Sequence, residues 1–354
     1  MKLEAIQVAL PSKIVTNSDI LALIREYTGP AHSGVSDDVL KAVDFFLRYA
    51  GSEKRHWLAE GESPIALLRD AGMRAMEQAG VVPNDIDLLI YVGIGRGFIE
   101  PGGAYHAANA LGLRETECFD IIDACMSWMR AMHLSQTLLR SGAYRRIMVV
   151  NAEFNMIHGG AIYPALFDIK DRASLEWTFP AFTLGEAASA TIVCADGVHG
   201  RAEAPWVFAF ESRPDLADLC NIPIHGFERF ATPSERIGKN GCGRFTSYGS
   251  KLVDEGRPHI LRVMRSLGKH VPLLEATALF THASSKRDWQ DFADAAELGH
   301  LLYSIFPTTG NIVSASVPAA IASAAGEGHI ARGDRLLGWV GSAGMSYGAV
   351  SFIY

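Results

Sequence analysis

The chain is short of several things, and each shortage removes a class of protein. Cysteine is sparse: Cys118, Cys125, Cys194, Cys220 and Cys242 are the only five, with no CxxC pair and no histidine at metal-ligand spacing. That excludes a zinc ribbon and a disulfide scaffold. An odd count in a long chain reads as free thiols, most of them small buried hydrophobes. Positive charge is short as well. Against 39 acidic residues stand 32 lysines and arginines, a formal charge of −7 with a pI near 5.9. Neutralising a phosphate backbone needs a basic face, so nucleic acid is not an expected partner. No apolar run approaches the roughly eighteen residues of a membrane helix. The opening MKLEAIQVAL alternates like a strand and lacks a signal peptide's apolar stretch and cleavage site. A soluble cytoplasmic protein with no membrane partner is expected.

What is present favours a large core. Apolar residues make up 49% of the 354 and charged ones 20%, which argues for packing and against disorder. Helical and strand patterns alternate, the mark of an α/β architecture. The clearest helix runs from Ser63 to Gly80, with Ser63 as N-cap, Pro64 in the first turn and Gly80 at the C-terminal end. Strands are expected over Asp87–Gly93, Glu117–Ile122 and Arg146–Asn151, with a helix from Met126 to Ser141. The pattern returns late in the chain as a strand over Thr277–Thr281, an apolar helix over Ala315–Ala325 and a strand over Leu336–Val340. Both halves end in a buried helix, a glycine break, a basic step and a buried strand. A diverged duplication is the reading, with halves 1–198 and 199–354 joined near residues 196–204.

Cys125 stands apart from the other four thiols. In Phe119–Trp128 (FDIIDACMSW) a buried strand runs into Asp123-Ala124-Cys125 and a helical pattern starts at once. A thiol there meets unsatisfied N–H groups and the positive end of the helix dipole, and both favour thiolate, the attacking form. Local sequence alone weighs this evenly against a buried structural cysteine.

The surrounding residues resemble a known family. Ala124-Cys125, Arg140-Ser141-Gly142-Ala143 and the strand ending at Glu153 are similar to the nucleophile region of thiolase-fold enzymes of the ketoacyl synthase III (FabH-like) group. Further landmarks follow in order. Pro11–Asn17 resembles the N-terminal turn, Gly185–Ala190 stands at the GDGAGA-like run, and Thr309–Pro318 lies close to GNTSAASVP. The resemblance implies a thiolase fold: two αβαβα halves forming a five-layered unit, usually a homodimer. It places Cys125 as nucleophile, His282 and Asn311 as its catalytic partners, and the Gly344 N–H beside that of Cys125 as an oxyanion hole. Neutral imidazole and a carboxamide N–H can stabilise charge on a thioester oxygen, including an enolate left by decarboxylation.

The implied reaction loads an acyl group from CoA or an acyl carrier protein onto Cys125. A malonyl thioester then loses carbon dioxide and attacks it, in fatty acid, polyketide or other secondary metabolism. No metal or redox cofactor is implied. A second reading passes the acyl group to a hydroxyl or amine acceptor, and a third makes the chain a non-catalytic partner subunit. Three departures from the family pattern bear on the choice. Met126-Ser127-Trp128 replaces Ser-Gly-Phe after the cysteine, either reshaping the acyl pocket or packing the helix. The HQAN run becomes His282-Ala283-Ser284-Ser285. Phe45 and Tyr49, with Arg55 further on, stand where the family carries a Trp and an Arg that clamp CoA; Arg287 matches a basic position that helps hold the carrier. The loss of the Trp–Arg pair favours an acyl carrier protein or another donor over CoA. Gly344-Met345-Ser346-Tyr347-Gly348 also fits GxSxG, but no His, Asp or Glu follows it, so a serine-hydrolase triad fails.

Overall fold

The computed structural model describes residues 1–28, 36–195 and 205–354. The expected junction of the halves, 196–204, lies outside the described residues.

Period-two burial builds the first sheet. It comprises β1 (Lys2–Ala9), β2 (Leu88–Val92), β3 (Glu117–Ile121), β4 (Arg146–Glu153) and β5 (Ala187–Cys194), ordered β1-β5-β4-β2-β3. Along β2, Leu88, Ile90 and Val92 point into a central cluster, and Leu89 and Tyr91 into an outer one. A sheet buried on both faces reads as a continuous apolar run, as LLIYV does. The second sheet comprises β6 (Val207–Ser212), β7 (Ala278–Thr281), β8 (Leu302–Tyr303), β9 (Arg335–Ser342) and β10 (Ser346–Ile353), ordered β8-β7-β9-β10-β6.

Read from its other edge, this is the same order: first, fifth, fourth, second, third strand of its half. The directions repeat too. The first strand pairs antiparallel with the fifth and the fifth antiparallel with the fourth, while the fourth, second and third are parallel. The duplication inferred from sequence is a repeat of topology.

Eight helices place the layers: α1 (Asn17–Tyr27), α2 (Asp37–Ala50), α3 (Pro64–Ala79), α4 (Gly103–Leu111), α5 (Ser127–Arg140), α6 (Gly249–Gly268), α7 (Lys286–Ala295) and α8 (Ser316–Gly326). Trp128, Met129 and Met132 of α5 and Ala320 and Ile321 of α8 share one cluster with Ile90 and Val149 of the first sheet and Phe280 and Leu336 of the second. Those two helices are therefore the middle layer. Helices α3 and α4 cover the outer face of the first sheet, α6 and α7 that of the second. The result is the five-layered αβαβα unit that the resemblance implies. A further cluster joins α1 and α2 to Phe167 and Phe182, and walls one side of the site described below.

Boundaries differ from expectation by one or two residues, with one correction of substance. Gly80 ends α3 in the left-handed conformation, φ +68°, as a C-terminal glycine should, but the Ser63 side chain makes no capping bond. Pro64 at the first turn sets the start of that helix instead.

Candidate active site

Both middle-layer helices begin the same way. Ala124 has φ +44° and opens a 3-10 turn, Ala124–Met126, before α5; Val313 has φ +50° and opens Val313–Ala315 before α8. A left-handed non-glycine residue is uncommon and is kept only where its surroundings hold it. Around Cys125 they do. The Asp123 N–H donates to Ser127 Oγ at 2.8 Å, and that hydroxyl donates to the Ala124 carbonyl at 2.7 Å. From the other half, Ser342 Oγ donates to the Asp123 carbonyl at 3.1 Å and accepts the Met126 N–H at 3.2 Å. The second sheet comes so close that a Cβ on Gly348 would lie 2.8 Å from the sulfurs of Met126 and Met129.

Cys125, His282 and Asn311 line one cavity of about 1560 Å³. It is larger than the roughly 300–1,000 Å³ of most small-molecule sites. Phe46, Ile94, Phe154, Leu184 and Phe245 supply much of its apolar wall.

The expected thiolate is corrected here. Burial holds the Cys125 thiol well above its ordinary pKa, and the nearby Cys220 thiol and Glu153 carboxyl push the same way. The backbone N–H and Ser342 oppose this and lose. The helix start is present, but desolvation outweighs its favourable field. Cys125 rests as a thiol.

His282 sits at the end of β7, 6% exposed, its backbone N–H donating to the Trp339 carbonyl at 3.1 Å. Burial lowers its pKa to about 4, partly countered by a hydrogen bond to the Val313 backbone, so the ring is neutral at pH 7. Its Nδ1 lies 3.3 Å from Ser316 Oγ, whose proton is already given to the Val313 carbonyl at 2.7 Å. The network therefore assigns the proton to Nδ1 and leaves a lone pair on Nε2.

Asn311 follows Gly310, whose φ is +67° and where a Cβ would lie 2.4 Å from the Thr183 carbonyl oxygen. Its backbone donates to Thr183 O at 2.8 Å and accepts from Gly185 N at 3.0 Å. The side-chain Oδ1 accepts the Val313 N–H at 2.9 Å, which leaves the Nδ2 protons as donors. Gly344, φ +127°, lies in the turn between β9 and β10; Gly341, Ser342, Ala343 and Met345 line the cavity, and Gly344 itself does not.

The outer candidates divide. Phe45 and Tyr49 line the mouth, both exposed, and the Arg287 guanidinium lies 4.2 Å from the Tyr49 ring centre. The structure thus brings Arg287 and Tyr49 together, an arrangement that sequence spacing gave no sign of. Arg55 does not join them. It is 0% exposed and binds Asn17, Ser52 and the Val15 and Phe182 carbonyls, with burial lowering its pKa to about 10. It is a buried brace near the Gly310 turn, not a surface clamp. Met126, Ser127 and Trp128 are all buried away from the cavity, so this departure packs the helix.

Sequence reading missed Glu153 as anything more than a strand end. Its buried carboxyl accepts hydrogen bonds from Gly95, Asn155 and Ser314; burial raises its pKa while those donors pull it down. The available signal was Ser314 itself, a serine where the family's GNTSAASVP run has alanine.

Duplicated halves enclosing such a cavity define the thiolase-fold class. Residues 119–205 match the family model for 3-oxoacyl-(acyl-carrier-protein) synthase III and residues 274–354 match that of its C-terminal part. The beta-ketoacyl-(acyl-carrier-protein) synthase III of Agrobacterium fabrum is 23% identical over 343 residues, covering 97% of this chain and 95% of the relative. That of Brucella melitensis is 25% identical over 354 residues with the same coverage. Among solved structures, Xanthomonas campestris OleA, a cysteine-to-serine variant with bound lauric acid and lauroyl-CoA, superposes with a TM-score of 0.83 at 17% identity, covering 99% of this chain and 98% of that one. The Aquifex aeolicus 3-oxoacyl-(acyl-carrier-protein) synthase III gives 0.76 at 21% identity, covering 100% and 99%. The chain belongs to the ketoacyl synthase III (FabH-like) family of the thiolase superfamily. It is an enzyme of that type, a transferase in the broad sense. Among the described residues no helix is long and apolar enough to cross a membrane.

Proposed function

We propose that the protein carries an acyl group on Cys125 and condenses it with a malonyl thioester. One observation supports this above others: Cys125, His282 and Asn311, distant in the chain, face a single large apolar cavity. His282 Nε2 takes the Sγ proton, and the sulfur attacks the thioester carbonyl. The N–H groups of Cys125 and Gly344 hold the oxyanion. The departing thiolate takes the proton back from His282. The malonyl thioester then enters; its C–CO2 bond breaks, and the electron pair becomes an enolate held by Asn311 Nδ2. The enolate carbon attacks the acyl-cysteine, and the released Cys125 sulfur regains a proton from solvent. CoA or phosphopantetheine thioesters enter as substrates, and the scheme calls for no metal.

At the mouth, Tyr49, Phe45 and Arg287 offer an aromatic and cationic platform for the thioester's carrier, acyl-CoA or acyl carrier protein. The scheme places the enzyme in the cytoplasm, where its five free cysteines stay reduced. A homodimer is proposed through the β3 edge. Among the described residues that strand pairs on one side only, and exposed Phe98, Ile99 (85%) and Ile122 lie near it.

The test loads the enzyme with acyl-CoA or acyl carrier thioester and adds malonyl thioester in a single turnover. Ketoacyl product with equimolar carbon dioxide is the expected result. Discharge of the acyl group to a hydroxyl or amine without carbon dioxide makes the enzyme an acyltransferase instead. No loading from any donor would leave the role of partner subunit.

A further inference from the structure

We propose that Glu153 is a positioning residue that serves the second half of the reaction and not the first, by holding the turn that carries Asn311. The inference rests on the roles assigned to Cys125 and Asn311 above.

Glu153 ends β4 in the first half, fully buried, and its carboxylate gathers segments that are far apart in sequence. One oxygen accepts the Gly95 N–H at 2.8 Å and Asn155 Nδ2 at 3.2 Å. The other accepts the N–H groups of Ile94 and Ser314, each at 3.3 Å, and the Ser314 hydroxyl. Ser314 Oγ in turn accepts Asn151 Nδ2 at 2.8 Å, and Asn151 Oδ1 accepts the Ser189 hydroxyl at 2.9 Å. The site is built around the carboxylate: a Cβ on Gly93 would lie 2.2 Å from its oxygen. Such a network, fully satisfied, fixes a unique arrangement.

Two consequences differ in sign. The first is mechanical. The Asn311 turn belongs to the second half, and its N-terminal side is pinned by the backbone bonds to Thr183 and Gly185. Its C-terminal side is pinned by Ser314, through Glu153, to the first sheet. Ser316, which meets His282, instead opens α8, whose Val317, Ala319 and Ala320 anchor it in the central core independently of Ser314. Releasing Ser314 therefore frees the segment that aims the Asn311 amide at the enolate oxygen, and a displacement near 1 Å can cost about 100-fold in rate. The second consequence is electrostatic. After burial and Cys220, Glu153 is a further influence raising the Cys125 pKa, so it does nothing to favour loading. The same residue should give the first step no help and support the second strongly.

The experiment measures both half-reactions separately in wild type, Glu153→Gln and Ser314→Ala. In Glu153→Gln, loading of Cys125 from an acyl thioester should be unchanged or a few-fold faster. Discharge by malonyl thioester should slow about 10- to 100-fold. Ser314→Ala, which restores the family's alanine and leaves Glu153 its bond to Gly95, should keep wild-type loading and slow discharge a few-fold. Equal slowing of both steps would mark a general structural defect and overturn the proposal, as would discharge at the wild-type rate. A readout without substrate separates this from the catalytic scheme. Amide deuterium exchange at Val313 should rise in both variants over wild type even if wild type takes no acyl group. Unchanged exchange would overturn the tether directly.

Discussion

The starts of α5 and α8 are the same piece of architecture used twice. Each follows a left-handed residue and a short 3-10 turn, and each precedes the fourth strand of its half. At the equivalent position one carries Cys125, which opens on the cavity; the other carries Ser314, buried and bonded to Glu153 and Asn151. The shared backbone explains where a reactive group can be held. It does not explain which copy reacts. That is decided by the side chain and its surroundings, so in the proposed scheme one copy is the nucleophile site and the other a brace for the Asn311 turn.

This comparison can be broken at either end. The largest effect is expected from Asn311→Ala, which removes the donor to the developing enolate. Cys125 should load normally while discharge by malonyl thioester falls about 10²–10³-fold, the usual cost of one lost oxyanion donor. Single-turnover rates check it, and equal losses in both steps would deny the division of labour. Next comes Gly310→Ala. With φ +67° and the Thr183 oxygen 2.4 Å from the new Cβ, it should cost about 2–3 kcal/mol of stability, read as a lower urea midpoint at unchanged slope. A wild-type midpoint would mean the turn is softer than described.

A smaller effect separates the thiol from its local setting. Because burial raises the Cys125 pKa, only a shrinking thiolate fraction exists as pH falls. Alkylation of Cys125 by iodoacetamide should rise about tenfold per pH unit from 7 to 9 without a plateau. A plateau below pH 8 would restore the thiolate read from the helix start. His282, with a pKa of about 4, should leave no acid limb near 6.5 in the loading rate, since it stays neutral until the pH falls towards 4. Smallest of all is Ser314→Cys in a Cys125→Ala background. The thiol at the equivalent position should take no acyl group, because the position lies off the cavity.

Much of this was legible in the sequence because much of it is local. LLIYV is buried on both faces and could only be an inner strand, and Gly80 ended a helix where its φ of +68° requires glycine. Cys125, His282 and Asn311 were singled out through their ordered resemblance to a family, and they line one cavity. The remainder depends on segments that meet only in the fold. The helix start at Cys125 promised a thiolate; burial, helped by Cys220 and Glu153, 95 and 28 positions away along the chain, makes it a thiol. Arg55 looked like a surface clamp because composition does not say which arginine is walled in by Phe182 and the Asn17 turn. The Glu153–Ser314 contact crosses from one half to the other, which no local pattern encodes.

The central claim is that the acyl group sits on Cys125, and intact-protein mass spectrometry with peptide mapping tests it most directly. Wild type and Cys125→Ala are incubated with acyl-CoA and acyl carrier thioesters of several chain lengths. A single acyl mass gain on wild type, mapped to the peptide holding Cys125 and lost in the variant, is the predicted result. The same gain persisting in Cys125→Ala, or mapping to Cys220, would contradict it.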